Sequence, residues 1–104
     1  MTDLEITRLC AEAMKLRIEL VTRRGRGGRA PYYRFASDWN EQGVYRPLYD
    51  DAQAMALVKK FGAFIQGGPV RWEVEICDKT VKDADDLNRA ICECAAKMQK
   101  DKLE

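Results

Sequence analysis

The sequence predicts an α+β fold in which three helices pack on one face of a small, mainly antiparallel sheet, in the order α-β-β-α-β-β-α. Three observations predict it. Two segments place apolar residues at helical spacing behind capping residues, and a third does so between an acidic start and a basic end. From Val70 to Cys77 the side chains alternate, Val70, Trp72, Val74 and Ile76 apolar against Arg71, Glu73 and Glu75 polar, which describes a strand with one dry face and one wet face. Two hairpins then connect what the helices leave over.

The first helix starts at Thr2 or Asp3, because Thr2-Asp3-Leu4-Glu5 has the spacing at which a hydroxyl and a carboxylate satisfy free backbone N–H groups, and it runs to Met14 or Lys15. Ile6, Leu9, Cys10, Ala13 and Met14 form its apolar stripe. Leu16 to Val21 reads as a strand, with Tyr32 to Ala36 as its hairpin partner across a Gly/Arg loop, and Ser37 to Val44 reads as polar and irregular around Trp39. Pro47 breaks the chain before a second helix, which Asp50 caps toward Gln53 and Gly62 ends, burying Ala54, Leu57, Val58 and Phe61. Phe64-Ile65 is a short strand and Gly67-Gly68-Pro69 a turn into the alternating strand. The last helix starts in the acidic run Asp83 to Asp86 and ends among Lys97, Lys100 and Lys102, charges that complement the helix dipole. The expected core is Ile6, Leu9, Ala13, Ile18, Leu57, Phe61, Trp72, Val74, Ile91 and Met98.

At 104 residues the chain is long enough for one domain with its own core, assigned to 1–102; Leu103-Glu104 is expected to be a remnant of expression cloning. Net charge is +1, yet residues 1–36 carry eight Lys/Arg against four Asp/Glu while the remainder is net acidic. A polyanion would therefore favour the first third. No apolar run is long enough to span a bilayer and the first residues lack the pattern of a signal peptide, so a cytoplasmic protein is expected. Cys10, Cys77, Cys92 and Cys94 are accordingly read as thiols.

The chain contains no histidine, which removes the usual general base near neutral pH and the commonest metal ligand. No phosphate loop, paired-carboxylate signature or nucleophile elbow replaces it, so no catalytic residue, no metal ligand and no cofactor is expected. Cys92 and Cys94, two apart on a helix, point about 200° from each other and cannot share a metal; Cys94 is expected in the core and Cys92 at its margin. The clusters Asp50-Asp51 and Asp83 to Asp86 lack a calcium-loop pattern and suit helix N-termini.

One segment carries a binding chemistry. Arg23 to Phe35 holds five arginines, three glycines and three aromatics. Arg23, Arg24, Arg26, Arg29 and Arg34 suit phosphate, and Tyr32 suits a stacked base, as single-stranded nucleic acid requires. The other reading is a solvated hairpin loop whose Tyr33 and Phe35 return to the core as alternate strand residues.

Three blocks also carry a resemblance. Residues 3–13 (Asp-Leu-Glu-Ile-Thr-Arg-Leu-Cys-Ala-Glu-Ala), 45–54 (Tyr-Arg-Pro-Leu-Tyr-Asp-Asp-Ala-Gln-Ala) and 86–92 (Asp-Leu-Asn-Arg-Ala-Ile-Cys), in that order, resemble small NinX-like proteins encoded by tailed phages and prophages. The resemblance implies a phage accessory protein in the bacterial cytoplasm, with no activity, cofactor or catalytic residue to carry over. Such a protein would act by binding a host or phage macromolecule, with a protein the expected partner and nucleic acid the alternative; whether it is a monomer or a homodimer stays open.

Overall fold

A computed structural model describes residues 1–22, 31–36, 43–67 and 71–103. The elements follow in the order α1 (Asp3–Ala13), β1 (Ile18–Val21), β2 (Tyr32–Phe35), β3 (Val44–Tyr45), α2 (Asp51–Phe61), β4 (Phe64–Gly67), β5 (Trp72–Ile76), β6 (Lys79–Ala84) and α3 (Leu87–Leu103). The α+β class, the three helices and the antiparallel pairing are present. The strands form two three-stranded sheets, β1-β2-β3 and β4-β5-β6, so each expected hairpin gains one strand and the order becomes α-β-β-β-α-β-β-β-α. The added strands escaped the sequence reading because β3 has only two residues and β6, Lys-Thr-Val-Lys-Asp-Ala, buries only Val81.

Capping chemistry sets the helix ends. Glu5 N–H donates to Thr2 Oγ1 at 3.1 Å, Gln53 N–H to Asp50 Oδ1 at 3.0 Å and Arg89 N–H to Asp86 Oδ1 at 3.3 Å, each occupying a donor that the first helical turn leaves free. Gly62 closes α2 at φ 62°, a left-handed angle that costs glycine nothing. Asp83 and Ala84 belong to β6 rather than to the start of α3. Between Trp72↔Ala84 and Val74↔Val81 the ladder skips, so Lys82 and Asp83 oppose Glu73 alone, and Asp83 takes φ 57° as the residue of a β-bulge.

α3 is the hub. It packs against α1, α2, β5 and β6, while α1 also meets β2. Its Cys92 and Cys94 are both fully buried, on opposite sides: Cys10 Sγ of α1 donates to Cys92 O at 3.3 Å, and Cys94 Sγ donates to Lys79 O of β6 at 3.1 Å. Cys92 is thus a core residue and not a marginal one, because α1 covers that side of α3. Ile6, Leu9, Ala13, Leu57, Val74, Ile91 and Met98 are buried as expected, whereas Ile18, Phe61 and Trp72 are half-buried. Ile18 and Phe61 lie at element ends. Trp72 lies instead across Gly67, where a β-carbon would come within 2.6 Å of its ring. That pairing, in register across β4 and β5, requires glycine.

The side of the sheet that faces α1 collects aromatic residues. Tyr33 and Phe35 pack against the core as alternate residues of β2, and the Phe35 ring meets the buried Tyr45 ring edge-on at 5.5 Å.

Candidate binding cleft

An open cleft of about 480 Å³ lies between the start of α1 and the β2-β3 side of the first sheet. The first turns of α1 contribute Asp3, Leu4 and Thr7, which one helical turn brings to a single face. The chain enters β2 through Pro31 and contributes Tyr32 and Tyr33. β3 and the turn after it contribute Tyr45, Arg46, Leu48 and Tyr49. That turn is closed by Tyr49 N–H donating to Arg46 O at 3.0 Å, with Pro47, buried, at the position where its fixed φ starts a turn. Leu48 is thereby driven inward, 5% exposed, and Tyr49 outward, 73% exposed.

The ionisable groups of the cleft differ in freedom. Arg89 Nη1 of α3 donates to Asp3 Oδ1 at 2.9 Å and Arg89 Nε to Glu93 Oε1 at 2.8 Å, so the Asp3 carboxylate is already ion-paired with a guanidinium that Glu93 shares, and the bond to Asp3 holds Arg89 more firmly protonated. Arg46 is exposed, and among the described residues no carboxylate lies within ion-pair distance of it. The Tyr45 hydroxyl is buried without a hydrogen-bond partner among the described residues. Burial first, then the neighbouring Cys10 and Cys92, push its ionisation well above the ordinary tyrosine range. It is a neutral wall and not a poised base.

The outer edge of β3 is covered. The Gln53 side chain of α2 reaches back to it, Nε2 donating to Val44 O at 2.9 Å and Oε1 accepting from Arg46 N–H at 2.7 Å. One amide side chain therefore occupies Val44 O and Arg46 N–H, two of the backbone groups that a further strand would use.

Of the residues singled out in the sequence, Tyr32 stands half-buried on the wall of this cleft. Arg34 does not line it; its guanidinium is paired with Glu19, its cross-strand neighbour on β1. Arg23, Arg24, Arg26 and Arg29 lie outside the described residues, as do most of the segment around Trp39 and the Gly68-Pro69 portion of the expected turn. The sequence reading passed over Arg46, Leu48 and Tyr49. Their signal is Tyr45-Arg46-Pro47-Leu48-Tyr49, an aromatic-proline block with an arginine, which in the sequence carries part of the resemblance and the approach to α2 but no binding role.

Among the described residues no group of three Cys, Asp or Glu side chains is placed to hold a metal ion, and no helix is long and apolar enough to cross a membrane. No protein-family model, no curated protein and no solved structure matches the chain.

Proposed function

We propose that this chain is a non-enzymatic accessory protein of a tailed phage or prophage, working in the bacterial cytoplasm by binding another macromolecule, with a protein as the partner. The phage assignment rests on the three sequence blocks. The binding assignment is carried by one observation, the open cleft whose walls present Tyr32, Tyr33 and Tyr49 with Arg46 at the rim. Tyrosine and arginine are the side chains that most often anchor protein interfaces, because each combines a large apolar surface with a polar tip. The chemistry of the cleft also supports binding over catalysis. Asp3 is ion-paired with Arg89, Tyr45 is held protonated, and the chain offers no imidazole.

A second reading, nucleic-acid binding, is favoured by the position of Tyr32. It opens β2 just after the arginine-glycine segment and shares a cleft with the exposed Tyr49, two ring faces for stacked bases. In that reading Arg23, Arg24, Arg26, Arg29 and Arg34 would hold phosphates.

Photo-crosslinking separates the two. With a benzophenone amino acid at position 49, and a control at Lys97 on the exposed side of α3, illumination of expressing bacteria should give a nuclease-resistant adduct from position 49 alone. A nuclease-sensitive adduct would put the second reading first. Fluorescence anisotropy with short single-stranded DNA and RNA at two salt concentrations should then show binding that weakens with salt and disappears when Arg23, Arg24, Arg26 and Arg29 are changed to Ser.

A further inference from the structure

From the way the cleft is walled and its edge is closed, we propose that its occupant is an extended, proline-containing peptide segment with acidic residues beside the prolines. This rests on the protein-binding reading above and names the chemistry of the partner.

Three observations carry it. The edge of β3 beside Arg46 is occupied by Gln53, so a peptide cannot be held there by adding a strand to the ladder. Recognition falls to side chains. The walls set Tyr32, Tyr33 and Tyr49 beside the aliphatic Leu4, Val44 and Leu48, and an aromatic-lined groove is the kind that receives an extended proline-containing segment. Rings of this kind take up the flat faces of prolines. A polyproline-II segment makes no internal hydrogen bonds, so its carbonyls remain free to accept from tyrosine hydroxyls. The segment is also ordered before it binds, which lowers the entropy lost in docking on a small site.

Charge then selects the flank. Asp3 is taken by Arg89, while Arg46 has no acidic partner among the described residues. Arg46 is therefore the cation of the cleft left open to an incoming group, and a carboxylate on the peptide pairs with it.

The test is a titration of the full isotope-labelled chain with capped peptides, followed by NMR. The core is Pro-Pro-Leu-Pro-Pro, flanked at either end by two aspartates; the comparisons carry lysine flanks, or alanine in place of every proline. The expected result is shift changes concentrated at Tyr32, Tyr33, Arg46 and Tyr49, with the alanine peptide about tenfold weaker or more. Aspartate flanks should be preferred over lysine by roughly twofold to fivefold, the range of an exposed ion pair. Arg46→Glu, a change at an exposed side chain whose backbone N–H still bonds to Gln53, should reverse that preference. Equal binding of the proline and alanine peptides, a flank preference indifferent to Arg46→Glu, or absence of shifts in the cleft would overturn the inference. Such a result beside a nuclease-resistant adduct from position 49 would leave the protein-binding reading standing; a nuclease-sensitive adduct would remove both.

Discussion

Lys15 occupies a backbone conformation that most side chains avoid, with φ at 58°. The reason lies in how α1 ends. Leu16 N–H donates to Ala11 O at 2.9 Å and Lys15 N–H to Glu12 O at 3.0 Å, the pair of bonds that reverses a chain at a helix C-terminus and requires a left-handed residue between them. Gly62 fills the corresponding place after α2, whereas α1 uses an exposed lysine. Lys15→Gly should therefore raise stability by about 0.5–1 kcal/mol, since relief of the β-carbon clash outweighs the added freedom of the unfolded chain. Urea unfolding would show a higher midpoint at unchanged slope. A lower midpoint would mean that the lysine stem contributes packing that its exposure does not suggest. Cys77, at φ 55° in the two-residue turn between β5 and β6, is, like Asp83, another non-glycine residue with such a φ.

At the scale of elements, Gln53 has two jobs on two different chains of bonds. Its backbone N–H is the one that Asp50 caps, which starts α2, and its side chain closes the edge of β3. The two-residue strand thus has a helix to hold it. Gln53→Ala keeps the cap and deletes the clasp. It should cost about 1–2 kcal/mol, the loss of two hydrogen bonds whose backbone partners are partly rehydrated. Amide exchange at Arg46 should accelerate while that at Gln53 itself changes little. Unchanged exchange at Arg46 would show that β3 is held by β2 alone, and the argument against strand addition at this edge would fall with it.

Across the whole molecule, α3 is buried on two sides, and its two internal cysteines report on them. The Cys92 thiol is held protonated far above its ordinary range, first by the Cys10 thiol beside it and then by burial; Cys94 is shifted the same way, chiefly by burial. Tyr45, nearby, is shifted upward as well. For all three the neutral form is the one that folds. Their contribution is therefore complete below the unfolded values, 9.0 for the thiols and 10.0 for tyrosine, and is lost as the pH rises beyond them. Stability should be level through neutral pH and fall above pH 9, by up to about 1.4 kcal/mol per pH unit for each such group. Cys92→Ala should lower stability at pH 7 through the vacated space but flatten the decline between pH 9 and 10. Denaturant titrations at successive pH values would measure both, and an equal slope in the variant would show that Cys92 is not one of the groups responsible.

The sequence by itself determined what depends on neighbours along the chain. Thr2, Asp50, Asp86 and Gly62 set helix ends because capping acts within three or four residues, and the alternation at Trp72, Val74 and Ile76 showed which face of β5 is dry. Tertiary structure decided what depends on distant partners. β3 and β6 are too short or too polar to announce themselves and exist through pairing with β2 and β5. Cys92 entered the core because α1 covers it, and Tyr49 became a wall of a cleft because α1 and β2 stand opposite. An aromatic residue in a loop carries the same local signal whether it fills a core or lines a surface, and only the packing of elements far apart in sequence separates the two.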